Sequence, residues 1–334
     1  MIKKIVFCSL LFCCLGLLVL PAVSFGQEVI LGGGLEMALN PEKPEPFESV
    51  KITLKSYRED LARAKITWFI NGEEKGVGIG LDEFNIVTGK SGTKITIRAE
   101  VLPFGKEAIE ISKSFSPSAV DLIYEALSYT PPFYKGKALN PNQGTVRVTA
   151  VPELIKSDGT KISPQNIVYV WKKDGNSQPS SSGLGKNTIL FTGGIPIRDT
   201  SIEVSASSLD NTVSASKIIK ITNESPKVVF YENSPIYGIM MNRTVRSSVN
   251  MLVDEFGVLA VPYFFSVDNM VSPNLNYVWS LGGQTIENQE QKNTLTTRQE
   301  KSGVGSALFN LKISNKIKIF QFQENGYTIN FKKE

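Results

Sequence analysis

The sequence predicts an all-β chain built as three β-sandwich domains in tandem. Three observations predict it. A strand ending in a tight turn occurs three times, as Ile66-Thr67-Trp68-Phe69-Ile70-Asn71-Gly72, Tyr169-Val170-Trp171-Lys172-Lys173-Asp174-Gly175 and Tyr277-Val278-Trp279-Ser280-Leu281-Gly282-Gly283. The three Trp residues are spaced by roughly a hundred residues, about the length of one small sandwich. The intervals between them are filled with segments that alternate apolar and polar residues, the period of half-buried strands.

The motif itself has a physical reading. Asn-Gly, Asp-Gly and Gly-Gly tolerate positive φ at both centres of a type I′ turn, whose twist matches that of paired strands. Each copy is therefore one arm of a β-hairpin. A Trp buries on the order of 200 Å², enough to centre a small core.

Met1 to Gly26 reads as a secretory signal. Lys3 and Lys4 precede the apolar run Ile5 to Leu20, Pro21 breaks it, and Ser24 and Gly26 are the small residues of a cleavage site before Gln27. An uncleaved N-terminal anchor is the competing reading, because the run is long for a signal core. The first domain is expected over 27–115. Three prolines between Pro41 and Pro46 suit an edge strand or an extended leader. Val50 to Leu54 alternates, Glu59 to Ala64 has a short helical flavour, and Thr93 to Val101 alternates and is expected across the core from Trp68.

Ser116-Pro117 and Ser225-Pro226 mark the two boundaries, giving a second domain over 116–224 and a third over 225–334. The segments after the two boundaries are alike: Val120 to Glu125 against Val228 to Glu232, then Thr130-Pro131-Pro132-Phe133-Tyr134-Lys135-Gly136 against Ser234-Pro235-Ile236-Tyr237-Gly238. The linkers are too short for flexible tethers. Ser163-Pro164 and Ser272-Pro273 precede the second and third Trp strands and suit the start of a short helical turn. Val258 to Val267 is unusually aromatic at Tyr263-Phe264-Phe265.

Composition removes several function classes. The 334 residues carry 36 basic and 32 acidic side chains, too balanced for a nucleic-acid footprint. There is no His, and the three Cys (Cys8, Cys13, Cys14) all lie in the N-terminal segment. A processed chain would lack a disulfide, a thiol nucleophile, a His base and a His/Cys zinc site.

The Trp-x-x-[Asn/Asp]-Gly hairpins, the alternating strands and the Pro-rich domain openings resemble tandem immunoglobulin-like or PKD-like domains of exported bacterial proteins. The resemblance covers nearly all of the chain after Gln27 and implies three immunoglobulin-like sandwiches with no catalytic residues to carry over. Tyr129 to Ala138 is similar to a stretch of exported proteins often found alongside type IV pilus components, which implies a surface or pilus-associated role.

Candidate chemistry is sparse. Gly76-Val77-Gly78-Ile79-Gly80 and Gly183-Leu184-Gly185 lack the spacing of a phosphate loop and read as strand-connecting turns. The acidic pairs Glu73/Glu74, Asp82/Glu83 and Asp199/Glu203 read as solvated faces, and Asp199, Asp210 and Asn211 are too few to specify calcium. No catalytic residue, cofactor or metal site is expected. The candidate partner-binding residues are Pro132, Phe133, Tyr134, Ile236 and Tyr237, which either pack between neighbouring domains or meet an external partner. The expected function is a non-catalytic exported cell-surface or envelope protein, extracellular or periplasmic, acting as a spacer, scaffold or adhesive binding protein. Its expected partners are envelope or pilus proteins or surface glycans, with membrane contact only through an uncleaved N-terminal segment. A carbohydrate-binding module array is the alternative.

Overall fold

The computed structural model describes residues 34–251, 253–287, 292–300 and 303–333; the predicted signal segment lies outside them. The first module comprises β1 (Leu35–Asn40), β2 (Ser49–Ser56), β3 (Lys65–Ile70), β4 (Glu73–Ile79), β5 (Glu83–Val87), β6 (Ile95–Leu102) and β7 (Ile109–Phe115). Sheet β1-β2-β5 packs over sheet β4-β3-β6-β7, with all neighbours antiparallel. The fourth strand thus joins the Trp-bearing sheet and not the first one, unlike the constant-type antibody arrangement.

The second module repeats this order. Its strands are β8 (Ala119–Ala126), β9 (Thr145–Glu153), β10 (Ile167–Lys173), β11 (Asn176–Ser177), β12 (Gly183–Leu184), β13 (Thr188–Thr192), β14 (Thr200–Ser208) and β15 (Ser214–Ile221). Sheet β13-β9-β8 faces sheet β11-β10-β14-β15, with β12 also on β10. The third module adds strands to the same plan: β16 (Lys227–Ser234), β17 (Gly238–Thr244), β18 (Ser248–Met251), β19 (Glu255–Tyr263), β20 (Leu275–Leu281), β21 (Gln284–Thr285), β22 (Thr294–Arg298), β23 (Gly303–Asn315) and β24 (Phe322–Lys333). Its sheets are β17-β16-β19-β22 and β18-β24-β23-β20-β21. The chain is therefore all-β, three immunoglobulin-like sandwiches in series.

Two devices, the turn and the indole hydrogen bond, build all three modules, and a third joins them in the first two. The turn after the Trp strand has positive φ at both centres: Asn71 (51°) and Gly72 (87°), Asp174 (51°) and Gly175 (78°), Gly282 (56°) and Gly283 (87°). The Asn71 and Asp174 side chains then accept the backbone N–H of Thr96 (2.8 Å) and Ser201 (2.9 Å), tying the turn to the next long strand. Each indole is buried, and each indole N–H donates to a backbone carbonyl just ahead of the strand that crosses to the other sheet: Trp68 to Leu81 (2.8 Å), Trp171 to Lys186 (2.9 Å), Trp279 to Lys292 (2.9 Å). A buried indole needs such a partner, so one residue fills the core and fixes the crossing at once.

Three expectations need correction. The strand that holds Thr93 to Val101 does not lie across the core from Trp68; it is the Trp strand's sheet neighbour, with Trp68 opposite Ala99, and the matching strands likewise set Trp171 opposite Val204 and Trp279 opposite Leu311. Period-two patterning gives the buried face of a strand but not which sheet holds it. Glu59 to Ala64 forms hydrogen-bonded turns rather than a helix. The first glycine cluster is mostly strand β4, not a connecting turn. Gly76 sits opposite Trp68, and a Cβ there would meet the Phe84 ring at 2.8 Å; its absence admits Phe84, which stacks on Trp68 at 5.6 Å.

Candidate interaction surfaces

The two junctions differ in chemistry. Between the first and second modules the Ile155 side chain lies against Gly92, and the other contacts are polar: Gly92 N–H to Pro117 O (3.0 Å), Ser91 Oγ to Glu153 O (3.1 Å), and Lys217 Nζ to Glu45 Oε1 (2.8 Å). The Glu45 hydrogen bond is the main cause that raises the Lys217 pKa, ahead of an opposing burial effect. A raised lysine value means the pair contributes fully below the unfolded lysine pKa of ~10.4 and is lost as pH rises through the folded value. Both side chains are partly exposed, so the contribution is small and salt-screened. Hydrogen exchange at Gly92 is expected to accelerate, beyond its intrinsic base dependence, above that pH and in Glu45→Gln, and to be unmoved elsewhere in the first module. Equal exchange in variant and parent would remove the pair from the junction.

Between the second and third modules the contact is apolar and buried. Strand β19 reads Phe256-Gly257-Val258-Leu259-Ala260-Val261-Pro262-Tyr263 without a polar break. Phe256, Val258 and Ala260 face the sandwich core, while Leu259, Val261 and Tyr263 face outward. A strand with both faces apolar needs a cover on its outer side. The connection between β8 and β9, residues 127–144, supplies it: Tyr129, Phe133, Tyr134 and Leu139 pack on Tyr231, Leu259, Val261, Tyr263 and Phe264. Phe133 meets Tyr231 edge-on at 5.4 Å, and Tyr134 meets Tyr263 and Phe264 at 5.6 and 5.7 Å. The Tyr231 and Tyr263 hydroxyls lie 2.7 Å apart, and burial pushes the Tyr263 hydroxyl pKa up, with the Tyr231 bond adding to it.

Backbone and amide groups lock this seam. Tyr129 N–H donates to Phe265 O and Phe264 N–H to Tyr129 O, both at 2.7 Å, with Phe264 held at φ 64°. A bulky residue at positive φ is strained, and the ring contacts and the paired hydrogen bonds hold it there. Gln321 is fully buried. Its amide donates to Asn142 O (2.7 Å) and Ser266 Oγ (2.8 Å), and its carbonyl accepts from Ser266 N–H (2.8 Å) and Asn315 Nδ2 (3.2 Å).

The predicted partner-binding residues therefore part company. Phe133 and Tyr134 are spent on the seam, and Pro132 is exposed beside them. Ile236 and Tyr237 form the tip of the β16–β17 hairpin, 83% and 78% exposed, away from any junction. The two Pro-containing stretches look alike in sequence because both end a first strand, but among the described residues only the Phe133 stretch packs on another module. Sequence reading does not reach Tyr231, Leu259, Val261 and Tyr263 as partners; the signal is the unbroken apolar run of β19.

Among the described residues no group of three or more Asp/Glu could hold a metal. Glu73 pairs with Lys75, Glu83 with Lys51, Asp199 with Lys220 and Glu203 with Lys172. Asp199 and Asp210 lie at opposite ends of β14, roughly 30 Å apart at about 3.3 Å per residue. Asp210 instead caps its own turn, and hydrogen bonds from Ser208 and Thr212 lower its carboxyl to about 2. No described helix is long and apolar enough to cross a membrane.

No protein-family model matches the chain, and no curated protein matches it. Solved structures similar to it are β-domain arrays. The fibronectin(III)-like modules of Clostridium thermocellum CbhA are 13% identical, covering 57% of this chain and 94% of that one, with a TM-score of 0.27. Three N-terminal domains of the bacteriophage RB49 Highly Immunogenic Outer Capsid protein are 14% identical, covering 90% and 98%, with a TM-score of 0.24. The central fibronectin-III array of RIM-binding protein is 13% identical, covering 84% and 90%, with a TM-score of 0.28. At these identities the likeness concerns the fold.

Proposed function

We propose that the chain is a non-catalytic exported protein of the cell surface or envelope that acts as a spacer or scaffold and holds binding surfaces at set positions. The observation that carries this reading is the buried seam between the second and third modules. Two sandwiches that share an apolar cluster and a buried amide network keep one mutual orientation, which is what a spacer needs and an enzyme does not. The described ionisable side chains support it, since Glu73, Glu83, Asp199 and Glu203, four of the six residues in the candidate acidic pairs, each pair with a surface lysine. A setting beside a pilus enters only through the resemblance of Tyr129 to Ala138.

Small-angle scattering on the chain recovered from an exporting host tests the reading. The expected profile fits one fixed arrangement of the second and third modules, unchanged by salt. A profile that needs freely hinged modules, or a single compact globule, would overturn it. The carbohydrate reading has one observation of its own, the exposed ring of Tyr237 at the β16–β17 tip. A glycan array comparing parent with Tyr237→Ala is the right form of that experiment, because Phe133 and Tyr134 substitutions also open the seam.

A further inference from the structure

The third module contains a cavity of about 620 Å³, the size of a small-molecule site. It lies between the β17-β16-β19-β22 sheet and the connection from β19 to β20, residues 264–274. Ile239, Leu259, Met270, Val271 and Leu275 supply its apolar lining. Leu259 and Leu275 are buried, so the lining reaches inside the fold. The cavity adjoins the seam, since Leu259 and Met270 also belong to the apolar cluster there.

Hydrogen bonds fix the connection that walls it. The Tyr277 hydroxyl donates to Met270 O (2.5 Å), Leu275 N–H to Ser272 O (3.0 Å) and Lys316 N–H to Asn274 O (2.8 Å). Lys316 Nζ donates to Pro273 O (2.8 Å), which holds one ammonium group against the wall. A wall tied down in this way forms the site before a ligand arrives, as small-molecule sites usually are formed.

Two polar features of the lining define what fits it. The first is Asn293, which is only 6% exposed. Its backbone carbonyl accepts from Ala260 N–H (2.8 Å), but its side-chain amide makes no hydrogen bond among the described residues. Buried amides are nearly always bonded, so this one calls for a ligand group that can donate to it or accept from it. The second is charge. Lys292 and Lys316 both line the cavity, no carboxylate does, and neither lysine takes part in an ion pair among the described residues.

We propose that this cavity binds a small organic carboxylate with an apolar body and one further hydrogen-bonding group. The carboxylate meets the ammonium groups of Lys292 and Lys316, the body covers Leu259, Met270 and Leu275, and the further group, an amide or hydroxyl, pairs with Asn293. A plain hydrocarbon chain would bury the Asn293 amide unpaired, and an uncharged ligand would leave both ammonium groups unused. The proposal goes beyond the spacer reading, which is decided by the scattering profile whether or not this site binds a ligand.

Methyl NMR titration of the full chain with N-acetyl-leucine tests it. N-acetyl-leucinamide is the uncharged counterpart, and octanoate is the carboxylate that lacks an amide. N-acetyl-leucine is expected to bind and to shift the Leu259 and Met270 methyl signals, and the other two to bind on the order of tenfold more weakly. The double variant Lys292→Gln, Lys316→Gln changes two exposed positions. It is expected to bind N-acetyl-leucine about tenfold more weakly and N-acetyl-leucinamide as the parent does. Asn293→Ala is expected to erase the preference for N-acetyl-leucine over octanoate; should that variant fail to fold, the lysine variant still decides. No binding of N-acetyl-leucine, equal binding of the acid and its amide, or an unaffected lysine variant would overturn the proposal. So would binding that leaves the Leu259 methyl signals unmoved.

Discussion

Trp171→Ala is expected to unfold the second module and to loosen the third with it. The ring is fully buried, and its N–H is bonded to Lys186 O. Losing a core Trp costs about 3–5 kcal/mol, which is much of the stability of a small domain. The damage should pass downstream, because the second module covers the outer face of β19. It should not pass upstream with equal force, since the first junction is mainly polar and none of the four buried apolar clusters spans it. Trp68 and Trp279 remain as fluorescent reporters of the first and third modules. In a denaturant titration, the Trp279 transition should move to lower denaturant and the Trp68 transition should stay within error. An unmoved Trp279 transition would show that the seam does not couple the modules.

Gln321→Leu is expected to cost about 2–4 kcal/mol in the coupled unit, although it keeps the size and adds apolar surface. The substitution strips partners from Asn142 O, Ser266 N–H, Ser266 Oγ and Asn315 Nδ2 together. Unpaired buried groups of this kind cost about 1–3 kcal/mol each, reduced where water can enter. Gln321→Glu should be worse, since a carboxylate cannot donate to Asn142 O and is buried without a cation. Thermal unfolding read by calorimetry should change from one joint transition of the second and third modules to two. A single transition at the parental temperature would remove Gln321 from the seam.

The modules were legible in the sequence because their signals are local. A Trp three residues ahead of Asn71-Gly72, Asp174-Gly175 or Gly282-Gly283 fixes the hairpin, and alternation fixes which side chains of Thr93 to Val101 are inward. The partner sheet of each strand was not legible, since pairing Trp68 with Ala99 depends on chain crossings that no period records. The seam was half legible. Phe133 and Tyr134 stand out as aromatics in a Pro-containing loop, and Tyr263-Phe264-Phe265 stands out as a run, but nothing local says that they meet. Ile236 and Tyr237 show the opposite failure: similarity to the Phe133 stretch suggests a shared environment, and an inserted hairpin places them in solvent instead.

The cover of β19 has a consequence for synthesis. Residues 127–144 leave the ribosome long before β19 and Gln321 exist, so Tyr129, Phe133 and Tyr134 wait uncovered while the rest is made. The second module can close its own core early, yet its long loop is finished only by a segment nearly two hundred residues later. Nascent chains of this protein thus carry a sticky intermediate by design of their order, and the period of greatest vulnerability ends only when the final hairpin has been translated.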